Sequence, residues 1–141
     1  MKFQTEKESI DYFVERLQTS GFTNIDCTQV VDQYSYYDIS ATYKEKKCRF
    51  ELKRRDLNSY DYCDSIIELS KYGKFIDDIV NEKINHGFVV SFFNDVYTID
   101  NITHTHSVDQ WMANATTEFE NRNKKTKWFV RYQQEKKFEY I

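Results

Sequence analysis

Residues 37–55, YDISATYKEKKCRFELKRR, decide the fold of this chain, because apolar and polar side chains alternate through them with the period of a β-strand. We predict a hairpin with strands at 36–43 and 48–55 and a four-residue loop at 44–47. Its apolar face, which can pack on a helix, carries Tyr37, Ile39, Ala41, Tyr43, Cys48, Phe50 and Leu52. Its polar face carries Asp38, Ser40, Thr42, Arg49, Glu51 and Lys53.

The polar face of this hairpin is the main functional signal in the sequence. A four-residue loop places Asp38 opposite Lys53 and Ser40 opposite Glu51, so two carboxylates and an amine converge. Two carboxylates at such a short distance repel each other, and a divalent cation such as Mg²⁺ can bind both and neutralise their charge. The amine can orient or deprotonate an attacking water. The alternative is an ordinary amphipathic hairpin in which Asp38 and Lys53 form a surface ion pair.

The elements around the hairpin indicate a mixed α/β chain. Residues 5–20 predict a helix, with a capping box at Thr5 and Glu8 and an apolar stripe through Ile10, Phe13 and Leu17. The pattern also predicts strands at 22–32, 87–93 and 96–99, a long helix at 59–84, weak helical character at 107–120, and a terminal hairpin at 126–132 and 138–141. The order begins α-β-β-β-α-β, and we expect one domain over 1–141 with its core at about 5–93 and a basic C-terminal extension at 94–141.

Composition excludes several functional classes. The chain has no proline and three glycines, so glycine-rich phosphate loops and proline-rich ligands are absent and we expect no nucleotide cofactor. No stretch is apolar for about 18 residues, and the first residues lack an apolar signal region, so we expect neither a membrane partner nor secretion. Three cysteines without a C-x-x-C pair predict a reduced, cytoplasmic protein.

The charges are distributed in blocks. The net charge is −3, yet segments 44–55 and 121–141 each carry seven basic and two acidic residues. A phosphate responds to the local patch more than to the net charge, because screening limits charge interactions to about 8 Å at physiological salt. Two solvated lysine-rich stretches are the simpler interpretation, and two nucleic-acid contacts are the functional one.

Asp38 followed after twelve residues by Glu51-Leu52-Lys53, within the α-β-β-β-α-β order, resembles the PD-(D/E)XK nuclease superfamily over about residues 5–93. The segments FELKRRD at 50–56 and SIIELSKYGKF at 65–75 resemble the corresponding segments of small phage-type members of the superfamily. In those members a helix with a lysine and aromatic pair follows the acid-x-Lys strand, and Lys71 and Tyr72 are the matching positions here. The resemblance implies a restriction-endonuclease-like domain with a mixed central sheet flanked by helices. It also implies a bacterial or phage-infected cell as the setting.

The resemblance implies a Mg²⁺-dependent endodeoxyribonuclease, with Mn²⁺ as a substitute. Asp38 and Glu51 would be metal ligands together with the Leu52 carbonyl, and Lys53 would be the catalytic lysine. The usual first-helix glutamate position holds Ile10, so we assign Glu6, one turn earlier, as its replacement. The expected partner is DNA, and a homodimer would suit the cutting of both strands. The predicted DNA contacts are basic residues of both charged segments and of the second helix: Lys46, Lys47, Arg49, Arg54, Arg55, Lys71, Lys74, Lys124, Lys125 and Lys127.

Two alternatives remain at this stage. The missing acid at Ile10 and the acidic net charge favour a catalytically inactive member of the same fold that binds DNA or a protein partner. A purely structural hairpin on an unrelated α/β fold would leave Asp38 and Lys53 exposed and paired only with each other.

Overall fold

The hairpin at the centre of the sequence also lies at the centre of a six-stranded sheet. A computed structural model describes residues 1–31, 34–61, 64–104, 107–114, 124–134 and 136–141. The helices are α1 (Glu6–Thr19) and α2 (Leu69–Val80), and the strands are β1 (Thr23–Asp26), β2 (Ile39–Tyr43), β3 (Lys46–Arg54), β4 (Asp64–Glu68), β5 (His86–Phe92), β6 (Val96–Asn101), β7 (Ser107–Asn114), β8 (Lys124–Gln133) and β9 (Lys137–Glu139).

The strands form two sheets. The main sheet has the order β1-β2-β3-β5-β6-β9, and the second sheet has the order β4-β8-β7. Only the β3–β5 contact is parallel among the described strand pairs, and helix α2 lies on the crossover between these two strands. The fold is therefore mixed α/β, as the sequence predicted.

The hairpin turn is shorter than the sequence suggested. Tyr43 pairs with Lys46, so the loop is the two-residue turn Lys44-Glu45 instead of the four residues 44–47. Both turn residues have positive φ, 47° and 67°, as a two-residue hairpin turn of this hand requires. The pairing shifts by two residues, and an even shift leaves the paired side chains of β2 and β3 on their predicted faces.

The apolar face of the hairpin packs on α1. The predicted stripe of α1 is buried, and the rings of Phe13 and Phe50 lie 5.2 Å apart in an edge-to-face contact. Ile39 and Cys48 join the same cluster. At the start of α1 the Thr5 side chain accepts a hydrogen bond from the Glu8 backbone N–H at 3.2 Å, which is one half of the predicted capping box.

The polar face of the hairpin is turned toward α2 and the second sheet. A second apolar cluster forms there, with Phe75 of α2, Ile67 of β4 and Val130 of β8 all buried. Tyr37, which precedes β2, packs against this cluster and not with the α1 face where the alternation placed it.

Two other predicted elements are wrong at their boundaries or in kind. Residues 22–32 form a strand only at 23–26, followed by a single 3₁₀ turn at Thr28–Val31. The predicted helix 59–84 is a 3₁₀ turn, the strand β4 and the shorter helix α2. Ile66 fits helical spacing with Leu69, but β4 pairs Ile66 with Arg131 of β8, so tertiary pairing overrides the local pattern.

The C-terminal third also differs from the prediction. Residues 107–114 form strand β7 instead of a weak helix, while 115–120 lie outside the described residues. Strands β8 and β9 do not pair with each other as a terminal hairpin: β8 joins β4 and β7, and β9 joins β6 at the edge of the main sheet. Neither described helix is long and apolar enough to cross a membrane.

We predict that Gly87→Ala destabilises the protein by about 1–3 kcal/mol, because the new methyl group has no room. A Cβ at Gly87 would lie 2.5 Å from the Phe75 ring and 3.0 Å from Ile102. The matched control is Gly73→Ala in α2, where no atom lies within 4 Å of the added Cβ. We expect this control to stabilise the helix by up to about 1 kcal/mol. Urea unfolding of both variants measures the difference, and equal effects would contradict the packing described here.

Candidate active site

Asp38 lies immediately before β2, with its carboxyl group beside that of Glu51 on β3. Its backbone N–H donates to the Phe50 carbonyl at 2.8 Å, and its Oδ2 accepts the Leu52 N–H at 2.8 Å. These two bonds fix the position of Asp38 beside Glu51, the β3 residue between Phe50 and Leu52. The predicted partner of Asp38 was Lys53, and the two-residue turn is the reason for the difference. The corrected register brings the two carboxylates closer than the sequence analysis placed them.

The carboxyl groups of Asp38 and Glu51 form a buried, electrostatically unfavourable pair. Burial, the charge of Glu51 and a hydrogen bond with the Glu51 carboxyl raise the pKa of Asp38 to about 8. The Leu52 N–H opposes this change, and repulsion from Glu6 adds to it. Glu51 is only 3% exposed. Below a pH of about 8 the folded protein therefore keeps a proton on Asp38, which avoids the repulsion between two carboxylates.

Lys71 of α2 compensates the charge of Glu51. Its Nζ lies 2.7 Å from Glu51 Oε2, and the two side chains are 16% and 4% exposed. Burial lowers the pKa of Lys71, but attraction to Glu51, Glu68 and Asp38 outweighs it, and the net pKa is raised. Lys71 is therefore a permanent cation beside the carboxylate pair.

Lys53 has the opposite electrostatic character. Burial lowers its pKa, and the charges of Lys71 and Arg55 lower it further, while Glu51 and Glu68 oppose the change. Lys53 follows Glu51 by two residues on β3, so it lies on the same face of the sheet. Its amine releases a proton more readily than an exposed lysine, which suits general-base chemistry.

Two residues of the site were not predicted from the sequence. Glu68 is the last residue of β4 and precedes α2, and its Oε1 lies 3.2 Å from Lys127 Nζ of β8. Ser91 of β5 is in register with Lys53, and its buried hydroxyl has no hydrogen-bond partner among the described residues. Glu68 could have been found from its position in SIIELSK, where an apolar strand ends and α2 begins. The sequence analysis predicted a helix over 59–84 and therefore missed the end of this strand. No local signal pointed to Ser91.

Glu6, the proposed substitute acid, begins α1 and is exposed. Its charge raises the pKa of Asp38, so it lies within electrostatic range of the pair. Ile10, the position that family members fill with an acid, is buried in the α1 core cluster. The geometry is compatible with Glu6 as the substitute, and this role stays a prediction.

Arg49 is held in an internal network on the polar face. Its guanidinium donates to Asp78 of α2 at 2.7 Å and to the Tyr36 hydroxyl, which in turn donates to Asp78. It also lies 4.5 Å from the centre of the Tyr37 ring. This network joins β3 to the C-terminal half of α2.

The other predicted DNA contacts are spread over the molecule. Lys46 and Lys47 are exposed at the turn end of β3, about 13 Å or more from Glu51 at 3.3 Å per residue. Arg55 lies near Lys53, as its effect on that pKa shows. The remaining positions are Arg54, whose guanidinium lies 3.5 Å from the Phe3 carbonyl, and Lys74, exposed on α2. Lys124 and Lys125 belong to β8, and their side chains lie outside the described residues.

The donor set of the site fits a divalent cation. In the described parts of the chain, no three His, Cys, Asp or Glu side chains cluster closely enough to hold a metal ion. Two carboxylates and a backbone carbonyl, with waters, form a common oxygen set for Mg²⁺. Burial, and then the charge of Glu51, raise the pKa of Asp38, and such a cation would oppose both effects.

We predict that Asp38→Asn stabilises the metal-free protein at neutral pH. The pKa of Asp38 is raised from about 4 in the unfolded chain to about 8, so the folded state keeps a proton that the unfolded state releases. Stability therefore falls as pH rises from about 4 to 8. The asparagine keeps an oxygen for the Leu52 N–H, and we expect a gain of roughly 1–2 kcal/mol at pH 7.5.

Urea unfolding of wild type and Asp38→Asn in EDTA measures this gain, which should disappear near pH 4. An equal difference at both pH values would show that the gain does not come from titration of Asp38.

Among solved structures, the chain is similar to Hjc of Archaeoglobus fulgidus, a Holliday junction resolvase from an archaeal hyperthermophile. The TM-score is 0.54 and the identity 11%, and the match covers 90% of this chain and 84% of that one. No protein family model and no curated protein sequence matches the chain. At this identity the likeness shows the fold. The chain therefore has the mixed α/β, restriction-endonuclease-like fold that its sequence predicted.

Proposed function

We propose that this chain is a metal-dependent nuclease that hydrolyses phosphodiester bonds of DNA. The observation that carries the proposal is the buried Asp38–Glu51 pair with Lys53 on the same face and Lys71 2.7 Å from Glu51. The raised pKa of Asp38 and the lowered pKa of Lys53 both weaken the fold. Such pairs of shifted groups are therefore more typical of functional sites than of residues that serve stability alone. The similarity to a Holliday junction resolvase supports the same class of reaction.

In this proposal Asp38 and Glu51, with the Leu52 carbonyl, hold Mg²⁺ or Mn²⁺. The bound cation would supply Lewis-acid activation of the phosphate and of a water. Lys71 keeps Glu51 ionised, because the ion pair favours the charged carboxylate. Lys53 positions the attacking water or accepts its proton, since burial lowers the pKa of its amine.

The basic residues near the site provide the contacts to the DNA backbone. Arg55 and Lys71 are the nearest of the predicted set, because both affect the pKa of Lys53. Arg49 contributes to folding through its bond to Asp78, and we assign it no phosphate contact. A homodimer that cuts both strands, a cytoplasmic location and a phage or bacterial role belong to the proposal as expectations.

Plasmid nicking in Mg²⁺ and in Mn²⁺ tests the activity. We expect wild type to convert supercoiled DNA to the nicked form and Lys53→Ala to be slower by about 10²–10⁴-fold, the usual contribution of a general acid or base. Glu51→Gln should be at least as impaired, and Lys136→Ala, an exposed lysine beside β9, is the control. Wild type that is inactive with both metals, or equally active with Glu51→Gln, would contradict the proposal and favour an inactive binding module.

Thermal unfolding tests the metal without relying on activity. A ligand that binds only the folded state stabilises it by RT ln(1 + [L]/Kd), about 2.7 kcal/mol at 100 times Kd. We expect Mn²⁺ to raise the melting temperature of wild type by several degrees and to leave that of Asp38→Asn nearly unchanged. The proposed metal site would be wrong if both proteins responded equally or neither did.

A further inference from the structure

Lys71 occupies a carboxylate that the proposed metal site requires. Its Nζ lies 2.7 Å from Oε2 of Glu51, which is one of the two side chains assigned to the cation. Both side chains are largely buried, so water weakens this contact little. In the metal-free protein Lys71 is therefore the counter-ion of Glu51.

A divalent cation and the Lys71 ammonium compete for this carboxylate. Mg²⁺ binds oxygen ligands at about 2.0–2.1 Å. A cation on Oε2 of Glu51 would therefore lie no more than about 4.8 Å from Nζ of Lys71. Like charges at that distance repel strongly where water is scarce, and the cation carries twice the charge of the ammonium. Lys71 must therefore give up its contact with Glu51 when a cation binds there.

The Lys71 side chain can move without a change in the fold. Lys71 lies in the first turn of α2, and a flexible four-carbon stem separates its ammonium from the backbone. Glu68, the acid nearest to it in sequence, is already paired with Lys127 at 3.2 Å and therefore attracts a released ammonium less. A lysine ammonium binds phosphate as a compact point charge with rotatable donors. The released Lys71 is thus available to an anion that enters the site.

We propose that Lys71 neutralises Glu51 in the metal-free protein and binds a phosphate group of the DNA after a divalent cation has replaced it on Glu51. This inference rests on the proposed function for the identity of the cation and of the substrate. It adds that the two bind cooperatively, because each favours the form of the protein in which Lys71 has left Glu51. By linkage, the cation strengthens DNA binding by the same factor by which DNA strengthens cation binding.

Calorimetric titration with Mn²⁺ tests the displacement. Lys71→Gln removes the ammonium that the cation must displace, so we expect it to bind Mn²⁺ about tenfold more tightly than wild type, a coupling of ordinary size. The matched control is Lys74→Gln, which removes the same charge from an exposed position three residues further along α2. We expect the control to bind as wild type does. Equal affinities of wild type and Lys71→Gln, or weaker binding by the variant, would overturn the proposal.

Amine labelling reports the position of Lys71 in the wild-type protein and so does not depend on the folding of a variant. Lysines are methylated with formaldehyde and cyanoborohydride, and peptide fragmentation in the mass spectrometer distinguishes Lys71 from Lys74. Saturating Mn²⁺ should accelerate the labelling of Lys71, because a released amine is more accessible to the reagent, and should leave that of Lys74 unchanged. Labelling of Lys71 that is unchanged or slower in Mn²⁺ would contradict its release from Glu51.

Fluorescence anisotropy with a labelled DNA duplex tests the phosphate contact. It is measured in the Lys53→Ala background, where cleavage is slow. We expect the added Lys71→Gln change to weaken binding about fivefold or more in Mn²⁺ and little in EDTA, where Glu51 already holds the ammonium. Lys74→Gln should have the same effect in both conditions. A loss from Lys71→Gln that is equal in Mn²⁺ and EDTA, or absent from both, would overturn the phosphate role of Lys71.

These outcomes are distinguishable from the test of cleavage. If Lys71→Gln binds Mn²⁺ more tightly but wild type nicks no plasmid, the nuclease proposal is refuted and the displacement of Lys71 is kept. If wild type nicks plasmid and Lys71→Gln binds Mn²⁺ as wild type does, the displacement is refuted and the nuclease is kept. Absence of Mn²⁺ binding by both proteins would overturn the displacement and the proposed metal site together.

Discussion

The structure depends on two acidic side chains that the fold holds side by side. Asp38 lies just before β2, and its bonds to Phe50 and Leu52, on either side of Glu51, prevent it from moving away. The β3–β5 pairing buries Glu51 from the other side. Lys71 compensates the charge of Glu51, while burial and then the charge of Glu51 raise the pKa of Asp38. Stability and site chemistry thus compete at the same two residues, which is common at functional sites.

The sequence was sufficient for the hairpin and for the two faces of its paired strands. The reason is that a strand has a side-chain period of two, so an error of two residues in the turn changes neighbours without changing faces. The turn itself was misjudged because Lys44-Glu45 lacks the Asn-Gly or Asp-Gly signal of a two-residue hairpin, although both residues adopt its positive φ values. The identity of the residue opposite Asp38 therefore required the structure.

The second sheet could not be predicted from local pattern. The apolar residues of β4 recur at spacings that also fit a helix, and only their pairing with β8, about 65 residues away in sequence, makes them a strand. The same pairing brings Lys127 to Glu68 and so adds residues to the site that are distant in the chain. Long-range strand pairing thus determines both the part of the fold and the part of the site that sequence reasoning missed.

Helix α2 is fastened to β3 at two points. Lys71 near its start bonds to Glu51, and Asp78 near its end bonds to Arg49, two residues earlier on the same strand. Two attachments seven residues apart fix both the rotation of the helix about its axis and its position along the strand. The lysine beside the carboxylates is thereby held in place, and the Tyr36–Arg49–Asp78 network restricts its motion from the far end of the helix.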